Sequence, residues 1–282
     1  MSIVYLNGDF VPRARAVISV DDRGFTFGDG IYEGVRAIEG RLFSWPAHAA
    51  RMKDGLAGLR IAFAGVDDLE AACARLLDAN ELRRGEAFLY LAVSRGAAPR
   101  THAFPTVPTT PTVFASATAF VPPRHLRTTG VAAITHDDLR WARCDLKTIN
   151  LLGSVIARQA AVEAGAYEAI LIRDGVITEG AATSVLAVID GELRTHPRSP
   201  HILPSVTRHH VLDHARALAI PLREVAFTRA ELARATEVLL CGTTNDVTPV
   251  VAIDGAPVGG GAPGPIGDRL RAALDAQLYG NS

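Results

Sequence analysis

The sequence predicts an α+β protein of two unequal domains. Three observations carry that reading. Apolar runs of strand length are joined by turn dipeptides, other segments carry apolar residues at helical spacing, and a Pro122-Pro123 pair separates two groups of such elements. Residues 1–120 are expected to form a small N-terminal domain, 121–126 a linker and 127–282 a larger C-terminal domain.

The elements follow in order. IVYL and the stretch after Asn7-Gly8 read as a hairpin, AVISV (16–20) as a strand, and DRGFTFGDG (22–30) as a glycine-punctuated loop. IYEGVRAI and RLFSW flank Glu39-Gly40 as a second hairpin, and a helix follows from Pro46. Asp67 with Glu70 three residues later signals the start of the helix LEAACARLLDANEL. AFLYLAVS (87–94) and TVFASATAF (112–120) are nearly continuous apolar runs, as in strands buried on both faces. Beyond the linker come a strand, VAAITH, and a helix from about Thr148 to Ala164 that ends at Gly165. EAILI–RDG–VITEG and TSVLAVI–DG–ELRTH are two hairpins across Asp-Gly turns. SVTRHHVLDHARAL (205–218) is a helix with Ser205 as its N-cap, and Thr228 with Glu231 forms a capping box. EVLLCGTT (237–244) is a buried strand that ends in a Gly-Thr-Thr loop, and a turn-rich stretch (254–267) precedes the final helix.

The bulk numbers narrow the function. The 282 residues are 48% hydrophobic, ample for a large core, and the net charge is -1 with scattered basic residues. That argues against nucleic acid or an anionic membrane surface as partner. Cys73, Cys144 and Cys241 form no CxxC pair and read as reduced thiols. The N-terminal MSIVYLNGDFVP lacks the order of a signal peptide, and no apolar run approaches the roughly 18 residues of a membrane span. A soluble cytoplasmic globular protein is expected.

Lys147, in the apolar context RCDLKTINLLGS, is the first candidate for chemistry. An unperturbed lysine has a pKa of about 10.4 and is a poor nucleophile; desolvation or a helix N-terminus favours the neutral amine, which forms imines. Taken alone, a lysine that snorkels to solvent is the simpler reading. Glu179, beside Gly180 in VITEGAATS, is placed to pair with a cation such as a protonated pyridine nitrogen, although an isolated TEG is usually only a turn. Ser205-Val206-Thr207 opens a helix and Gly242-Thr243-Thr244 ends a strand, two settings suited to phosphate, with Arg51 as a cationic partner. Arg100 and His102 share one side of an extended loop and suit a carboxylate. Tyr32 is a core aromatic or a hydroxyl in use. His210 and His214 have zinc-like spacing, but Val211 stands where HExxH requires Glu, so solvent-facing histidines are the better account and no metal is expected.

Jointly, DRGFTFGDGIYE, HAAR, SRGAAPRTHAFP, LRWARCDLKTINLLGSVIA, EAILIRDGVITEG, ILPSVTR and GTTNDVTPV resemble the fold-type IV pyridoxal-phosphate transaminases, most closely the D-amino-acid transaminases, in order and spacing over nearly the whole chain. The resemblance implies a two-domain fold-type IV enzyme with a small N-terminal α/β domain and a larger C-terminal domain with a β-barrel-like core. It implies that Lys147 binds pyridoxal 5'-phosphate covalently and shuttles the proton, and that Glu179 keeps the pyridine nitrogen protonated. Arg51, Leu203, Val206, Thr207 and Thr243 match the cofactor cup. Tyr32, Arg100 and His102 match the trap for the substrate α-carboxylate, with Arg100 and His102 reaching in from the neighbouring subunit of a homodimer. The implied reaction is ping-pong transfer from a D-amino acid such as D-alanine to a 2-oxo acid such as 2-oxoglutarate. Branched-chain L-amino-acid transaminases, (R)-amine transaminases and aminodeoxychorismate lyases share the fold, and a metal-binding protein without activity is a distant alternative.

The chain departs from the family pattern twice. Ala181-Ala182-Thr183-Ser184 stands where serines followed by asparagine are usual, and Gly242 stands where a close relative carries serine, as in branched-chain members.

Overall fold

A computed structural model describes residues 2–280. The chain divides into two compact units: one runs to Val121 and includes Leu146–Asn150, and the other comprises Pro122–Asp145 and the chain from Leu151 onward. The short segment with Lys147 thus belongs to the first unit, and not to the larger domain in which its position in the sequence placed it.

The first unit is built on a six-stranded antiparallel sheet in the order β2-β1-β6-β5-β3-β4. Its strands are β1 (Ile3–Leu6), β2 (Asp9–Pro12), β3 (Gly30–Ile38), β4 (Arg41–Leu42), β5 (Glu86–Ser94) and β6 (Thr112–Ala119), and its helices α1 (Arg23–Phe27), α2 (Trp45–Leu59) and α3 (Leu69–Ala79). Strand alternation sorts the side chains. Val35, Leu89, Leu91 and Ala115 form one core with Met52 and Leu56 of α2 and Leu76 and Leu77 of α3. Each such leucine contributes about 1.5–3 kcal/mol by leaving water. The opposite face carries Tyr32 and Tyr90, whose rings stack with centroids 5.8 Å apart. β5 therefore alternates between buried and half-buried residues, where the sequence suggested burial on both faces; its apolar outer residues belong to an aromatic surface.

Three further expectations fail here. AVISV is not a strand: no partner among the described residues pairs with it, and Val17 and Val20 are 79% and 75% exposed. β-branched residues favour extended backbone, but a ladder needs a neighbour. The loop DRGFTFGDG contains α1, because the Asp22 side chain accepts from the Gly24 amide and Gly28 ends the helix at φ 68°. Asp67 does not cap α3; it pairs with Lys53 at 2.7 Å, and Asp68 occupies the cap position.

The second unit holds a nine-stranded mixed sheet. Its strands are β7 (Val131–Asp137), β8 (Glu168–Arg173), β9 (Val176–Gly180), β10 (Ser184–Ile189), β11 (Glu192–Thr195), β12 (Leu222–Glu224), β13 (Glu237–Gly242), β14 (Asp246–Ile253) and β15 (Ala256–Pro257). They are ordered β12-β11-β10-β13-β14-β7-β8-β9, with β15 on β14. β9 lies at one end of that ladder, yet it packs beside β10, the strand that follows it in sequence. The sheet must curl to allow this, which gives a barrel-like core. Helices α4 (Arg124–Thr129), α5 (Leu152–Glu163), α6 (Val206–Ala217), α7 (Arg229–Leu232) and α8 (Pro265–Tyr279) complete the unit. The Asp174-Gly175 and Asp190-Gly191 turns have positive φ at both residues, the geometry of tight hairpins. The Thr228–Glu231 capping box is formed in full. No helix among the described residues is long and apolar enough to cross a membrane.

Candidate active site

In the first unit, Lys147 is fixed by backbone pairing. The Tyr32 amide donates to the Lys147 carbonyl at 2.9 Å and the Ile149 amide to the Gly30 carbonyl at 3.0 Å, so residues 147–149 extend the sheet at an edge that β4 leaves open. The expected helix begins only at Leu152. A helix dipole acts within its first turn, and Lys147 lies outside it. Instead the half-buried Lys147 Nζ donates to Tyr32 Oη at 3.2 Å and lies 4.2 Å from the centre of that ring.

Glu33, next to Tyr32 on β3, faces the core. Its carboxylate accepts from Arg51 Nε at 2.6 Å and Nη2 at 2.8 Å, and His48 Nδ1 lies 2.8 Å away. Burial would raise the Glu33 pKa, but the Arg51 charge and the His48 and Arg51 bonds overcome it and hold the group at about 2. Arg51, expected as a phosphate partner, is thus committed in this unit to a carboxylate that the sequence reading did not single out.

Arg100 and His102 both lie against Phe27. The Arg100 guanidinium is 5.0 Å from the ring centre, and the His102 ring is 5.6 Å away at 55°.

In the second unit, Glu179 on β9 is 5% exposed. The Leu203 amide donates to both its oxygens at 3.1 Å, and Arg140 Nη1 bonds Oε1. Arg140 is itself chelated by Asp138, with Nε and Nη2 each 2.8 Å from its oxygens. Asp138 also takes Arg173 at 3.1 Å and the Thr178 hydroxyl at 3.0 Å. Burial raises the Glu179 pKa while Arg140 and the Leu203 amide work to keep it charged. Asp138 and Arg140 were missed in the sequence, where LRWARCD shows no pattern that marks a buried ion pair with a residue 39 positions away.

The Glu168 carboxylate ties down the turn after Glu179. It accepts from the Ala182 amide at 3.2 Å and the Thr183 hydroxyl at 2.9 Å. Ala181 packs beneath with Ala157 and Ala161 of α5, so it fills apolar space. α6 opens at Val206 and Thr207 behind the Ser205 cap; its first amides lack intrahelical acceptors and suit an anion. α6 packs against β13, whose end leads through Gly242 and Thr243 into the turn before β14. A Cβ at Gly242 would sit 2.7 Å from Asn245 Oδ1, so a larger residue there would require the asparagine to shift. The buried Asn245 Nδ2 finds no partner among the described residues, which leaves a donor for an acceptor beside Thr243. His210 Nδ1 and His214 Nε2 meet Gln277 at 3.1 and 2.9 Å, and among the described residues no group of three or more His, Cys, Asp or Glu is placed to hold a metal ion.

Each of these groups, within its own unit, suits one part of pyridoxal 5'-phosphate. An amine is available for its aldehyde, a buried carboxylate for its ring nitrogen, and helix amides, hydroxyls and an unsatisfied Asn245 donor for its phosphate.

Comparison with known proteins agrees. Residues 30–253 match the family described as Amino-transferase class IV. The D-alanine aminotransferase of Bacillus licheniformis is 41% identical over 98% of this chain and 96% of its own length. That of Staphylococcus haemolyticus is 38% identical over the whole of both. Among solved structures, the Escherichia coli branched-chain amino acid aminotransferase superposes with a TM-score of 0.93 at 26% identity, over 100% of this chain and 96% of that one. A branched-chain aminotransferase of T.th. complexed with N-(5'-phosphopyridoxyl)-L-glutamate gives a TM-score of 0.88 at 30% identity, over 100% of this chain and 95% of that one. The chain therefore belongs to the class IV aminotransferases, and its fold is that of the fold-type IV enzymes.

Proposed function

We propose that this protein is a D-amino-acid aminotransferase that uses pyridoxal 5'-phosphate. Full-length identity to relatives named D-alanine aminotransferases carries the reading. The cofactor supplies an aldehyde that captures the amino group and a pyridinium ring that accepts the electrons of the α-carbon. Lys147 would hold the cofactor through its aldehyde carbon, and its amine would carry the proton removed from the substrate α-carbon and return one on the way to product. The Tyr32 hydroxyl orients that amine through the 3.2 Å bond. Glu179, charged through Arg140, stabilises the protonated ring nitrogen. Thr207, Thr243 and the α6 amides bind phosphate, with Leu203 acting through Glu179. Arg100 and His102 take the substrate carboxylate, and we assign them to the partner's site in a homodimer. The amino group passes to a second 2-oxo acid, so the kinetics are ping-pong.

The solved neighbours and Gly242 favour a second reading, a branched-chain L-amino-acid aminotransferase. One assay separates the two. The visible cofactor absorbance of the holoenzyme is followed in single turnover with D- and L-alanine, D- and L-leucine and an (R)-amine. Bleaching by D-alanine with L-leucine inert is expected; the reverse gives the second reading. Lys147→Ala should abolish both the visible band and turnover, and a variant that keeps either removes Lys147 from its role.

A further inference from the structure

The loop that carries Arg100 and His102 has more support in the first unit than its exposure suggests. Arg100, Thr101, His102 and Phe104 are all exposed, and such a loop ordinarily samples many conformations. Here it is held at three points. Arg23 Nη1 donates to the Thr101 carbonyl at 2.7 Å. Arg100 and His102 both rest on the ring of Phe27, and the Arg23 guanidinium lies 4.6 Å from the same ring. Phe104 is covered by the Arg95 guanidinium at 3.8 Å.

The two arginines behind the loop are themselves fixed by one carboxylate. Arg23 Nε and Arg95 Nε both donate to Asp29 Oδ2, at 2.8 and 2.7 Å, and Arg95 Nη2 donates to Oδ1 at 2.9 Å. Arg95 also donates to the Arg60 and Leu59 carbonyls at 2.9 and 2.7 Å. Burial works against the Asp29 charge, yet the bonds from Arg95 and Arg23 hold its pKa below the usual carboxylate range. Phe27 is the last residue of α1, whose ends are set by Asp22 and Gly28. Its ring therefore projects from a capped turn rather than from a free loop.

We propose that Phe27 is the positioning residue of the substrate-carboxylate trap: its ring holds Arg100 and His102 ready for the carboxylate, over a base formed by Arg23, Asp29 and Arg95. This rests on the reading that Arg100 and His102 bind the substrate carboxylate. A trap that is ordered before binding loses less entropy on capture, and one populated only part of the time weakens apparent affinity by that fraction. Phe27 touches no reacting atom in this scheme, so it acts on KM through Arg100 and His102. Without the ring, neither its cation–π attraction for Arg100 nor its packing on His102 remains, which corresponds to a rise of about ten-fold in KM.

The test uses the holoenzyme with D-alanine and 2-oxoglutarate. Phe27→Leu, Phe27→Met, Phe27→Tyr and Arg100→Ala are compared, with Phe27→Leu also made in the Arg100→Ala background. Phe27→Leu and Phe27→Met should raise the D-alanine KM by about ten-fold with a much smaller change in kcat, and Phe27→Tyr should restore it. In the Arg100→Ala background the effect of Phe27→Leu should shrink severalfold, as expected when one residue works through the other. Retained visible absorbance and cofactor Kd certify folding, and Phe27→Met is read if Phe27→Leu does not fold. A wild-type KM in both ring-less variants overturns the proposal, as does an undiminished effect without Arg100. If Arg100→Ala leaves KM unaltered, or the wild type is inert to every D-amino acid, the underlying reading falls and takes the proposal with it.

Discussion

The Arg140 guanidinium bonds Glu179 through Nη1 while Asp138 grips its other side at 2.8 Å through two nitrogens. A carboxylate that must stay ionised inside a protein is thereby backed by a cation that cannot turn away. Arg140→Met removes that cation, so the pKa of Glu179, already raised by burial, rises further. The acid limb of the kcat–pH profile should move to higher pH and kcat should fall by about ten-fold or more. Arg140→Lys should recover part of the loss. An unmoved acid limb in Arg140→Met argues against this role.

Glu33 makes stability depend on acid. Its folded pKa of about 2 lies below the ordinary 4.5, so its contribution is complete above 4.5 and is lost as pH falls toward 2. Glu33→Gln leaves Arg51 buried beside a neutral amide and should cost about 3–5 kcal/mol at pH 7. The cost should shrink on acidification through that window. Denaturant unfolding at about pH 7 and about pH 3 measures both.

The proposed sharing of sites between subunits makes a prediction about mixtures. Lys147→Ala and Arg100→Ala subunits are each poor alone. In a randomly mixed dimer population half the dimers are hybrid, and each hybrid has one complete site if Arg100 serves its neighbour. Co-refolded mixtures should then regain about a quarter of wild-type activity. No recovery means that the arginine acts within its own subunit.

At the start of α6, Thr207→Ala removes a hydroxyl but no backbone donor. Cofactor Kd, followed by fluorescence titration of the apoenzyme, should rise by about three- to ten-fold. The Tm of the apoenzyme should change little, since Thr207 follows the cap and Ser205 supplies the cap bond.

Much of this was legible in the sequence because it is local. Asp-Gly turns, the Thr228–Glu231 box and the Ser205 cap depend on residues within a few positions of one another. Lys147 and Glu179 stood out because charge amid apolar residues needs a reason. What escaped was tertiary. Asp138 and Arg140 gain meaning only through Glu179, and Phe27 only through Arg100 and His102, which a distant loop brings to its ring. AVISV misled because its residues favour a strand without supplying a neighbour, and the helix after Lys147 was placed too early because residues 147–149 pair with β3 instead.

The contact between Gly242 and Asn245 also sets the order in which this chain can change. Serine at 242 would bring its Cβ to within 2.7 Å of Asn245 Oδ1, so the asparagine side chain must give way before a hydroxyl can be carried there. Replacing Asn245 first removes that demand, and the two changes together should be better tolerated than Gly242→Ser alone. Residue 242 thus answers to its neighbour as much as to the chemistry of a ligand.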